Sequence, residues 1–95
     1  MALILWTDQA GNDLINISEY ISRDSPRYAS IFIERIINAA KILETHPRSG
    51  RIVPEFEIET LRELIIGNYR IVYSIVNEEQ IDIITVHHSA RILKL

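Results

Sequence analysis

Between residues 60 and 88 the chain reads as three strand-like runs with almost nothing between them, and this spacing constrains the fold more than any other feature. "TLRELII" (60–66), "YRIVYSIV" (69–76) and "IDIITVHH" (81–88) are rich in valine, isoleucine and tyrosine, residues that suit a pleated, half-buried surface. Gly67 and Asn68 separate the first two runs, and "NEEQ" (77–80) separates the second two. Links this short join antiparallel neighbours, because a parallel return needs about a dozen residues or more. Three consecutive antiparallel strands are therefore predicted.

The first half of the chain has a different period. "ALILW" (2–6) is an apolar run of strand length, followed by Thr7 and Asp8, either of which can cap a helix. Ala10, Leu14, Ile17 and Ile21 then recur at steps of four, three and four, which places them on one face of a helix spanning 9–22. "SRDSPRYAS" breaks that helix, with Ser25 as the next N-cap and Pro26 in a first turn where its missing N–H costs nothing. From 26 to about 45, Ala29, Phe32, Ile33, Ile36, Ile37, Ala40 and Leu43 form a stripe wide enough to face a helix and a sheet together. The short link predicts an antiparallel helical hairpin. "THPRSG" stops the second helix, "RIVPEFEIE" reads as an irregular connection in which Pro54 argues against a central strand, and "SARILKL" reads as a short tail. The order β-α-α-β-β-β predicts an α+β fold: a helical hairpin packed on one face of a twisted antiparallel sheet, with the first strand at an edge.

Residues 1–95 are enough for one domain and too few for two. A hydrophobic content of 47% against 24% charged residues places the chain among folding sequences. A domain of this size buries only about 60% of its unfolded surface, so a partner that covers apolar surface is expected to matter. The absence of cysteine excludes disulfides and thiolate zinc sites and suits a reducing cytoplasm. No apolar run approaches the ~20 residues that span a bilayer, and no basic leader precedes the first strand, so a soluble cytoplasmic protein is expected. The net charge of -3 leans against a surface built to neutralise phosphates.

His87 and His88 are neighbours on a strand, so their side chains point to opposite faces and cannot grip one metal between them. Neither a metal nor a cofactor is expected. Ser89 lacks the glycine-flanked turn that exposes a nucleophile. Arginine is the more informative residue type. Arg62 and Arg70 lie on strands joined by a tight turn, and Arg51 and Arg91 can reach the same region from loops. Such a group suits a phosphate or carboxylate, which guanidinium forks bind through two hydrogen bonds. The alternative is that acids at 55, 57, 59, 63, 78, 79 and 82 take these arginines up in ordinary surface salt bridges. Tyr69 and Tyr73 share a strand face with Ile71 and Ile75 and read as core, whereas Arg70, Val72 and Ser74 face the other way.

In order and spacing, the strand ending at Trp6, "AGNDLINISEYI", "SPRYASIFIERI", "HPRSGRIVPE", "LRELIIGNYRIVYSIV" and "IITVHHSAR" resemble the RelE/ParE toxins of type II toxin-antitoxin systems. The resemblance covers nearly the whole chain. It implies the same fold, a growth-inhibiting activity of the plasmid-stabilising kind, and a cognate antitoxin whose disordered segment wraps the toxin. It also implies one of two targets. RelE-like members cut messenger RNA on the ribosome with basic residues and a terminal tyrosine or histidine, whereas ParE-like members inhibit DNA gyrase. Arg70 matches the arginine of the family's "YR.VY" strand, which contacts phosphate in the nucleases. The nuclease lysines of the preceding strand are missing from "LRELII", where Arg62 is the only base, and no tyrosine follows Tyr73. A nuclease would have to rely on Arg70, Arg62, His87, His88 and Arg91. The expectation is therefore a ParE-like gyrase inhibitor, with Arg51, Arg62, Arg70, His87 and Arg91 contacting target or antitoxin. A ribosome-dependent endoribonuclease, or an inactive member that only binds its antitoxin, are the alternatives.

Overall fold

One threonine side chain closes the first strand and opens the first helix in the computed structural model, which describes residues 1–95. Strand β1 (Leu3–Trp6) leads into helix α1 (Asp8–Ser22). Between them, the Thr7 hydroxyl accepts from the Ala10 amide at 3.1 Å and donates to the Ile84 carbonyl at 2.8 Å. Ser25 accepts from the Tyr28 amide at 3.1 Å and so caps helix α2 (Pro26–Lys41), with Pro26 in the first turn. A 3₁₀ turn over Ile42–Glu44 ends the second helix. Four strands follow: β2 (Arg51–Ile52), β3 (Leu61–Ile66), β4 (Tyr69–Asn77) and β5 (Gln80–His88).

The sheet order is β1-β5-β4-β3-β2. The helical hairpin, the α+β architecture and the edge position of β1 are as the sequence predicts, with two differences. The "RIVPEFEIE" connection contributes a two-residue edge strand, β2, paired antiparallel to β3. Strand β1 runs parallel to β5, from Leu3 opposite Gln80 to Trp6 opposite Ile83, so the sheet is mixed rather than wholly antiparallel. The two differences have one cause. Each helix carries the chain back along the sheet, and every later strand reverses direction. Three strands after the hairpin would leave the last one antiparallel to β1, whereas the extra reversal at β2 makes it parallel.

The main core lies between the hairpin and one face of the sheet. Ile71, Tyr73, Ile75, Ile81, Ile83 and Val86 meet Ala10, Ile17, Phe32, Ile36, Ala40 and Leu43, all nearly inaccessible to water. The opposite face carries a smaller cluster of Val53, Leu61, Val72 and Leu93. Leu93 belongs to the tail after β5, so the chain folds back over the face that the helices leave open. Between β3 and β4 the link is two residues long, with Gly67 at φ 57° in its first position, the arrangement of a type II′ hairpin. A bulge in β5 decides where the histidines point. Tyr73 pairs with Ile83 but Val72 with Thr85, so Ile84 is the additional residue, and alternation restarts one position later. Val86 and His88 thereby take the helix side, and His87 takes the other side beside Arg70.

Candidate functional site

Arg70 is the centre of the outer sheet face. It is 4% exposed, and strand register sets it across from His87 on β5 and Ile65 on β3. Its two terminal nitrogens both donate to Glu55, at 2.9 and 2.5 Å, which gives the parallel two-bond geometry that guanidinium and carboxylate share. One of them also reaches Glu63 at 3.0 Å, and the other donates to the Arg91 carbonyl at 2.7 Å. Glu63, whose side chain is fully enclosed, takes a second cation from the solvent side, Arg51 at 2.6 Å. The result is an alternating row, Arg51–Glu63–Arg70–Glu55. Only the Arg70 Nε and the neighbouring His87 Nε2 are buried there without a partner in the chain.

Glu55 ties the tail into this row, because the same oxygen that binds Arg70 accepts from the Leu93 amide at 2.8 Å. Its carboxyl is held down to about 2, first by the Arg70 hydrogen bond and next by the Leu93 amide. A folded-state value below the ordinary 4.5 means that this contact stabilises the fold fully above pH 4.5 and is lost as pH falls from there towards about 2. The expected result in urea unfolding is a midpoint that declines across that window. Glu55→Gln should show a lower midpoint at neutral pH, and the gap from wild type should close at pH about 2; a gap independent of pH would contradict the assignment.

Arg62 does not join Arg70. It pairs in register with Tyr73, which puts it on the helix side of the sheet, whereas Arg70 points away from the helices. There it holds loops: its Nε donates to the Glu59 carbonyl at 2.9 Å, and Nη1 to the Gly50 carbonyl at 2.9 Å. Arg48 and Arg62 share the Glu59 carboxylate. The same loop is fastened by Tyr73, whose hydroxyl donates to the Pro47 carbonyl at 2.7 Å and accepts from the Gly50 amide at 3.0 Å. The acids at 55, 59 and 63 thus take up four of the arginines, and the Arg70–Glu63 pair is buried rather than a surface bridge.

Sequence reasoning placed Tyr69 and Phe32 in the core without seeing what they join. Tyr28, Phe32, Tyr69 and His88 form a continuous row of rings with centroid steps of 6.1, 5.8 and 5.4 Å. The bulge in β5 is what brings His88 into the row. These rings line a cleft at the end of the sheet, where the Arg91 side chain also lies. Of the singled-out residues, then, Arg51, Arg70 and His87 gather on the outer face, Arg62 braces loops, and His88 and Arg91 border the cleft. No helix is long and apolar enough to cross a membrane.

A two-helix hairpin thus packs on a five-stranded mixed sheet, with Arg70 on the strand after the tight turn. The family model described as "ParE toxin of type II toxin-antitoxin system, parDE" matches residues 4–93. Toxin RelE2 of Caulobacter vibrioides is 33% identical over 92 residues, covering 97% of this chain and all of that protein. A solved structure titled "Chromosomal ParDE TA system from P. aeruginosa" superposes with a TM-score of 0.75 over 93% of this chain and 96% of that one, at 23% identity; that likeness concerns the fold. The chain belongs to the ParE toxin family of type II toxin-antitoxin systems, and membership implies a cognate antitoxin as its partner.

Proposed function

We propose that this toxin, acting as a single domain in the cytoplasm, arrests growth by binding a protein target, DNA gyrase, and that it serves in a plasmid-stabilising module. The observation that carries this reading is the condition of Arg70. An arginine that clamps a scissile phosphate must offer its fork to the substrate, yet this one is 4% exposed and both its terminal nitrogens are bound by Glu55. Displacing Glu55 would leave a carboxylate beside an incoming phosphate, with Glu63 still behind it. Two further arginines are likewise engaged within the chain, Arg51 with Glu63, and Arg62 with Glu59 and the Gly50 carbonyl. A net charge of -3 also suits a protein target better than ribosomal RNA.

Purified toxin is expected to inhibit gyrase supercoiling of relaxed plasmid at low micromolar concentration, with added antitoxin restoring activity. Messenger RNA from cells expressing the toxin should show no codon-positioned cleavage by primer extension. Codon-positioned cuts that vanish in Arg70→Lys would replace this reading with the endoribonuclease one. Unimpaired growth after induction without antitoxin would instead indicate an inactive, antitoxin-binding member.

A further inference from the structure

The cleft at the end of the sheet has a chemistry that the growth-arrest reading does not use. It has a volume of about 670 Å³ and lies where the link between the helices, the Gly67–Asn68 turn and the start of the tail converge. Tyr20 and Tyr28 stand at its rim, 64% and 49% exposed, and the row of rings from Tyr28 to His88 continues inward. Its polar lining combines Arg91 and two histidines with a single acid. The Arg91 guanidinium enters none of the chain's ion pairs. Arg23 lies over the Tyr20 ring at 5.9 Å and adds a second cation beside the rim. His88 Nδ1 accepts from the Ala90 amide at 3.2 Å, which leaves the ring proton of the neutral form on Nε2. His87 adds to the lining from the adjacent strand position, although its side chain lies on the outer face beside Arg70. Asp13 is the one acid in the lining, and it is occupied by the Thr85 hydroxyl and the Val86 amide.

Exposed ring faces suit a flat, polarisable group, and an unpaired guanidinium with no free acid in the lining suits negative charge. The geometry points to a nucleotide site, with the base against Tyr20 and Tyr28 and the phosphate against Arg91 and His88. Stacking of a base on an aromatic side chain contributes about 1–3 kcal/mol, and the guanidinium supplies the anion contact. The volume falls within the roughly 300–1,000 Å³ of preformed small-ligand pockets. A folded partner would instead need a broad face of about 800 Å².

The test is a titration of ¹⁵N-labelled toxin, followed by amide shifts, with AMP, adenosine, inorganic phosphate, a single-stranded tetranucleotide and the peptide Asp-Tyr-Asp. AMP should give saturable shifts centred on Asn16, Tyr20, Tyr28, Asn68 and His88. Adenosine and phosphate should each bind at least about tenfold more weakly than AMP, and Arg91→Ala and Tyr28→Ala should each weaken AMP about tenfold, a factor equal to about 1.4 kcal/mol. Both residues are exposed, so unchanged shifts elsewhere will confirm that the variants fold. A tetranucleotide that binds more tightly than AMP at the same residues makes a single strand the source of the nucleotide; equal affinity makes it the free nucleotide. No saturation by roughly 10 mM AMP, or tighter binding of the peptide, overturns the proposal.

Discussion

Arg70→Ala should lower the unfolding free energy by about 3–5 kcal/mol, the usual cost of leaving a buried charge without its partner. The magnitude follows from what would remain. The Glu63 side chain has no access to water and would keep only Arg51, whose own side chain is 61% exposed and so screened by solvent. Glu55 and the Arg91 carbonyl would lose their anchor as well, loosening the tail. Urea unfolding followed by circular dichroism measures the loss directly. Arg51→Ala removes only the exposed partner and should cost less than about 1 kcal/mol. Exchanging the pair together for apolar residues, Arg70→Met with Glu63→Leu, should recover much of the loss, because the buried charge is then gone. A cost below about 1 kcal/mol for Arg70→Ala would show that Glu63 finds water or changes protonation at little expense.

Tyr73→Ala should be comparably severe, at about 3–5 kcal/mol, since it removes an aromatic ring from the middle of the core. Tyr73→Phe isolates the hydroxyl. It would strand the Gly50 amide and the Pro47 carbonyl, at a cost of about 1–3 kcal/mol. Hydrogen exchange separates the two contributions. In Tyr73→Phe the Gly50 amide should exchange faster while core amides such as that of Ile71 stay protected, whereas Tyr73→Ala should speed both. Gly50 has no room to compensate by substitution, because a Cβ there would sit 2.6 Å from the Glu63 carbonyl, a strand atom that cannot shift alone.

The elements and their order were legible because they rest on local signals: period, caps and turn residues. What sequence did not disclose depended on counting and on phase. Two residues, Arg51 and Ile52, are too few to show any alternation, and passing over them inverted the direction of β1. The bulge at Ile84 similarly exchanged the faces of His87 and His88, which no spacing in "IITVHHSAR" reveals. Arg70 was correctly placed opposite the core row, but its burial comes from the tail and Glu55, which lie 21 and 15 positions away. The second role of Tyr73 had one available clue: a tyrosine rather than a phenylalanine in a wholly apolar row needs somewhere to put its hydroxyl. The row of rings from Tyr28 to His88 draws on three separate elements and exists only once they are assembled.

The alternating row Arg51–Glu63–Arg70–Glu55 has a consequence at long range. Two positive and two negative charges packed within contact distance cancel one another, and beyond a Debye length of about 8 Å the face they occupy is electrically quiet. The protein's negative excess must therefore be felt from the other surfaces. An approaching macromolecule would be turned and oriented by those surfaces first, and would meet this face only after it had already docked.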